Sequence, residues 1–173
     1  MWATWANLLT ALRLASIGPC AYGAWTENWW LAAFCFTLAA ISDFFDGWLA
    51  RKYQQASSFG GLFDHATDAA FVTLVLAALS GPAVPWILPV LIPLAFGQYL
   101  LDSRALSGHK LRTSWLGRNN GIAYFVLAGI PIIRNALGLS WPNDFSVGLF
   151  GWLLVATTGI SMIDRARVWI AAK

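Results

Sequence analysis

Apolar residues along this chain come in long blocks, not in alternation. The blocks cover residues 5–25, 28–52, 60–80, 83–102 and 115–135, with a sixth running from 146 to beyond 165. Each is about 20 residues long, the length a helix needs to cross the hydrocarbon core of a bilayer. The breaks between them read "TEN", "QQASS", "SGPAVP", "SRALSGHKLRT" and "LGLSWPND", all rich in turn formers or polar residues. The pattern predicts an all-α integral membrane protein with six transmembrane helices in a single domain spanning 1–173. Pro85, Pro89 and Pro93 recur every fourth position in the fourth block. Inside a bilayer, neighbouring helices satisfy the carbonyls that proline frees, so a kinked helix is predicted there and not a break.

Composition supports the same class. Of 173 residues, 58% are hydrophobic and only 11% charged, too few to cover a soluble domain. The basic residues then orient the spans. Arg13, Arg51, Lys52, Arg104, Lys110, Arg112, Arg118, Arg165, Arg167 and Lys173 fall on or near one side, and Arg134 on the other. Positive charge gathers on the cytoplasmic side, so both termini are predicted to be cytoplasmic. Tryptophans gather near both ends of the blocks as two interfacial belts. The net charge of +3 reads as topology and attraction to anionic lipid, with no nucleic-acid partner. No basic region precedes the first block and Arg13 interrupts it, unlike a cleaved signal. Cys20 and Cys35 are expected to be plain core thiols.

One stretch breaks the apolar pattern. Asp43, Asp46, Asp64 and Asp68 are half of the eight acidic residues in the chain, and all four fall at the cytoplasmic ends of the second and third blocks. Spacings of three and four put each pair on one helical face. A short loop makes the two helices antiparallel neighbours, so the pairs face each other. Each carboxylate in a span costs about 2.5–3.5 kcal/mol on insertion scales. Protonation or divalent cations relieve that cost. Oxygen ligands at this spacing suit hard ions such as Mg²⁺ or Mn²⁺, and two such ions polarise a phosphoryl group and steady a leaving oxygen. Acids clustered inside a membrane mark function, which includes ion channels and transporters as well as enzymes.

The full run, Asp43-x-x-Asp46-Gly47-x-x-Ala50-Arg51, eight residues, then Gly60-x-x-x-Asp64-x-x-x-Asp68, resembles the signature of the CDP-alcohol phosphatidyltransferases. The six-block length and the N-terminal "NLLTALR" are similar to that family too. The resemblance implies transfer of a phosphatidyl group from CDP-diacylglycerol to a small polar alcohol with release of CMP. It implies two divalent cations, Mg²⁺ or Mn²⁺, on Asp43, Asp46, Asp64 and Asp68, with Asp68 also the general base. It implies a pocket for the cytidine diphosphate at Gly47, Ala50, Arg51 and Gly60, completed by Asn7, Thr10 and Arg13. A homodimer in a bacterial inner membrane, its site facing the cytoplasm, follows from the same resemblance. An ion path gives no reason for the Gly-x-x-Ala-Arg segment or for Gly60.

The acceptor is expected to be glycerol 3-phosphate, with inositol phosphate or another alcohol as the alternative. Arg104, Lys110, Arg112 and Arg118 supply positive charge for a phosphorylated acceptor on the side of the aspartates. The "SWLGR" segment around Gly117 and Arg118 is similar to an element of glycerol-phosphate and inositol-phosphate users. Gly97-Gln98 stand where the bacterial glycerol-phosphate pattern has Arg-Glu. His65, beside Asp64, is expected to be a surface or packing residue.

Overall fold

A computed structural model describes residues 5–52, 58–102 and 115–171, with side chains described at 8–45, 60–101 and 115–167. Six helices form: α1 Trp5–Trp25, α2 Trp29–Lys52, α3 Ser58–Ala78, α4 Leu88–Asp102, α5 Trp115–Ala136 and α6 Asp144–Ala171. Among the described residues there is no strand, only an isolated bridge between Ser80 and Val84. The helix count and the order of the breaks match the sequence pattern. Two helical segments, Gly60–Ala78 and Asp144–Arg167, are long and apolar enough to cross a membrane.

The helices pack around one apolar centre. α1 lies against α2 and α3, α5 against α2, α3 and α6, and α4 against α3 and α6. Phe71 and Phe125 stack with ring centres 5.4 Å apart, and Phe36 tilts against both. Gly129 lets α5 approach that cluster: a β-carbon there would lie 2.8 Å from the Phe36 ring. Around Gly61, by contrast, a β-carbon would meet nothing within 4 Å, so close packing does not explain that glycine. Cys20 and Cys35 are buried and unbonded to each other, as expected of core thiols.

The outer surface is as apolar as the centre. Trp30, Phe34, Leu101, Trp115 and Phe145 are each more than two-thirds exposed. A soluble monomer does not present large apolar side chains on every helix, because water penalises them; lipid does not.

The fourth block departs from expectation. Its helix begins at Leu88, not near 83. Pro85 lies ahead of the helix, in a turn closed by Gly81 N–H to Val84 O at 3.1 Å and Leu88 N–H to Pro85 O at 3.0 Å. Pro89 falls in the first turn, where its missing N–H has no intrahelical partner to lose, and only Pro93 is interior. Proline thus sets the helix start here. The remaining 15 residues make a rod of about 22 Å.

Candidate active site

Three helices bring opposite charges together near one end of the bundle. Asp64 and Asp68 sit four apart on α3 and share a face. Asp43 comes from α2 and Arg13 from α1. The Arg13 side chain is completely buried, and a buried guanidinium needs anionic partners to offset lost hydration. It has them. Nη2 lies 3.1 Å from Asp43 Oδ1, and Nη1 lies 2.8 Å from Asp64 Oδ1 and also hydrogen-bonds Asp68 Oδ1. Arg13 therefore ties α1 to both α2 and α3. Ser16, one turn on, hydrogen-bonds the Arg13 carbonyl at 2.7 Å and keeps its own hydroxyl satisfied in the interior.

The carboxylates open onto a cavity of about 550 Å³ that reaches across to α4, α5 and α6. Its lining includes Asp43, Asp64, His65 and Asp68 from α2 and α3, and Tyr99, Arg118 and Arg165 from α4, α5 and α6. The Arg165 guanidinium lies 4.9 Å over the Tyr99 ring, a cation–π arrangement that orients it. The edge of the same ring meets His65, with centres 6.3 Å apart. Asn120 accepts from Thr157 Oγ1 at 3.1 Å, and the Tyr124 and Thr158 hydroxyls pair at 2.6 Å. These bonds lock α5 to α6 at the cavity lining. Gln98 donates to the Met162 carbonyl at 2.9 Å, joining α4 to α6, and it is not among the residues lining the cavity.

A divalent metal fits this donor set. Asp64, His65 and Asp68 each offer a ligand atom, all within 4.8 Å of one another. Carboxylate oxygens dominate, which favours hard ions. That the same oxygens already enclose a fully buried guanidinium shows how strongly this spot favours positive charge.

The structure brings Asp43, Asp64 and Asp68 together as the spacing implied, and sets Arg118 in the lining of the same cavity. Thr10 is buried one turn before Arg13 on α1, and Gly60 opens α3. Arg13, expected to complete the nucleotide pocket, lies among the carboxylates, where three negative charges offset the burial of its cation. Asn7, Asp46, Gly47, Ala50 and Arg51 lie on α1 and α2, with side chains outside the described set. Arg104, Lys110 and Arg112 lie outside the described residues. His65, expected at the surface, is exposed but forms part of the cavity wall. Sequence reasoning missed Arg165 and Tyr99 as cavity residues. The only available signal was their position at the ends of blocks that return to the aspartate side.

The family model for CDP-alcohol phosphatidyltransferase matches residues 3–163. The chain is similar to a CDP-diacylglycerol--glycerol-3-phosphate 3-phosphatidyltransferase of Cereibacter sphaeroides, 37% identical over 199 residues, covering 96% of this chain and 87% of the relative. It is similar to proteins of the same name from Mycoplasma genitalium, 30% identical over 128 residues with 72% of this chain and 54% of the relative covered, and from Rickettsia felis, 47% identical over 49 residues with 28% and 27% covered. The chain therefore belongs to the CDP-alcohol phosphatidyltransferase family and is an enzyme of that class.

Proposed function

We propose that this chain transfers the phosphatidyl group of CDP-diacylglycerol to glycerol 3-phosphate, forming phosphatidylglycerophosphate and CMP. The observation that carries this reading is one cavity lined both by the carboxylates of α2 and α3 and by Arg118 and Arg165 of α5 and α6. The relatives named above are called by that activity, and the chain covers most of the first of them.

The carboxylate wall takes the attacking hydroxyl and the diphosphate; the arginine wall takes the phosphate of the acceptor. Asp68 accepts the proton of that hydroxyl. Its oxygen forms a bond to the phosphorus that carries diacylglycerol, the bond from that phosphorus to the bridging oxygen breaks, and CMP leaves with the bridging oxygen. Asp43, Asp46, Asp64 and Asp68 would hold two divalent cations, Mg²⁺ or Mn²⁺; of these, Asp64 and Asp68 converge with His65. When bound, such ions neutralise the diphosphate and polarise the transferred phosphoryl group. Gly47, Ala50, Arg51, Gly60, Asn7 and Thr10 form the pocket for the cytidine diphosphate. Arg104, Lys110 and Arg112 extend the basic wall. Fixing acceptor and donor in one cavity turns a bimolecular encounter into an oriented one, where most of the acceleration for phosphoryl transfer arises.

An ion path is disfavoured on both counts. The family is an enzyme family, and below the cavity the core is closed by Phe71, Val75, Leu76 and Leu127, all fully buried. The exposed apolar helix faces and the sidedness of the basic residues support six spans in a bacterial inner membrane, both termini and the cavity facing the cytoplasm. There CMP leaves into water while acyl chains stay in lipid. The single domain and a homodimer complete the reading.

The test uses detergent-purified protein with CDP-diacylglycerol and an acceptor panel of glycerol 3-phosphate, inositol phosphate and unphosphorylated alcohols. CMP release and the lipid product are read by mass spectrometry. Phosphatidylglycerophosphate as the dominant product supports the reading. A dominant product from another acceptor overturns it.

A further inference from the structure

Arg13 occupies an unusual place. Its guanidinium is the cation around which Asp43, Asp64 and Asp68 gather, and no part of its side chain is exposed. A single nitrogen, Nη1, spans Asp64 Oδ1 and Asp68 Oδ1. A divalent cation held by those same oxygens would compete with that nitrogen for their lone pairs. Two cations placed side by side there would also repel each other.

We propose that Arg13 is a built-in counter-ion that competes with divalent cations for the carboxylates of this site. It holds α1, α2 and α3 together by neutralising part of the charge that would otherwise drive Asp43, Asp64 and Asp68 apart. A divalent cation held by Asp64 and Asp68 would take over that task and compete with Nη1 for their oxygens. Arg13 is thus a positioning residue: it keeps the carboxylates converged and sets how much cation is needed to load them. The inference rests on the two-cation reading of the site given above.

Two consequences distinguish this role from simple packing. Removing the guanidinium charge takes away a competitor, so metal affinity rises. It also takes away the counter-ion, so the fold comes to depend on metal. A merely structural arginine gives neither, since its loss destabilises equally with and without metal.

The experiment compares wild type, Arg13→Gln and Arg13→Lys in detergent. Mn²⁺ affinity is read from the loss of the free-ion electron paramagnetic resonance signal. Melting is read from tryptophan fluorescence in EDTA and in saturating Mn²⁺. Arg13→Gln is expected to bind Mn²⁺ on the order of tenfold more tightly. In EDTA it is expected to melt roughly 5 °C below wild type, and in saturating Mn²⁺ that gap closes. Arg13→Lys, a cation without the planar fork, falls between the two. Equal or weaker Mn²⁺ affinity in Arg13→Gln overturns the inference. So does a melting gap of the same size in both conditions, or an Arg13→Gln protein that fails to fold even with Mn²⁺ while Arg13→Lys folds. A wild-type protein that binds no Mn²⁺ fails at the earlier step and removes the two-cation reading itself.

Discussion

The two ends of this helix bundle hold cavities of opposite character. The larger, about 870 Å³, is lined by the ends of α1, α3 and α5 and the start of α6, with Arg134 and Asp144 in its wall. There Arg134 meets Asp144, with Glu27 also in the wall: Arg134 Nη1 lies 2.8 Å from Asp144 Oδ1 and 2.8 Å from the Pro142 carbonyl, and Nε lies 3.0 Å from Asn135 Oδ1. The guanidinium is spent on closing the turn between α5 and α6. Gly138, at φ 65°, supports that turn, with Leu139 N–H returning to the Arg134 carbonyl at 2.9 Å. The smaller cavity instead gathers three carboxylates, tied to the buried Arg13, together with Arg118 and Arg165 in one lining. Volume is therefore a poor guide to chemistry. Several ionisable groups converging on one cavity are what a site for charged substrates requires.

The sharpest break between the ends comes from metal removal. Dialysis against excess chelator is expected to abolish CMP release, because the carboxylate wall then has nothing to compensate the diphosphate. Turnover should return with Mg²⁺ or Mn²⁺ added back. Full turnover in chelator would show that the carboxylate end works without cations and that the contrast drawn above is only structural.

Smaller effects are expected at the basic wall. Arg118→Ala or Arg165→Ala removes a charged contact to a phosphorylated acceptor, worth about 1.5–3 kcal/mol where direct. That predicts a rise in acceptor KM of roughly 10- to 100-fold, with the KM for CDP-diacylglycerol little changed. Steady-state kinetics with each substrate varied in turn measures this. Equal, small changes in both constants would assign the arginines to topology alone.

The weakest effect belongs to the other end. Asp144 is about half exposed, so its ion pair with Arg134 is screened by solvent. Asp144→Asn is expected to cost no more than about 1 kcal/mol of stability and to leave turnover unchanged. A thermal melt and a CMP assay on the same preparation check both. Lost turnover with an intact fold would mean that the two ends are coupled.

Legibility in the sequence follows the same division. The convergence of Asp43, Asp64 and Asp68 was readable because helical spacing puts Asp64 and Asp68 on one face and a short loop brings α2 back beside α3. The six helices were readable because each apolar block is bounded by turn formers. Arg13 could be seen but not placed. Its partners lie 51 and 55 residues away on α3, and only the packing of three helices brings them together. Arg165 and Tyr99 were obscure for the same reason, their meeting depending on how α6 lies against α4. The start of α4 was misjudged because prolines four apart satisfy a helical register even when the first of them stands outside the helix.

The account's central claim is that Asp68 takes the proton at the carboxylate end. Asp68→Asn keeps the shape and one ligating oxygen but removes the basic carboxylate. Single-turnover CMP release at saturating Mg²⁺ and saturating CDP-diacylglycerol isolates that step from binding. The account predicts a protein that folds, binds the nucleotide lipid, and turns over slower by a factor on the order of 10² to 10⁴. An Asp68→Asn protein that recovers the wild-type rate once metal is saturating would contradict it, leaving Asp68 as a ligand only and the proton to another acceptor.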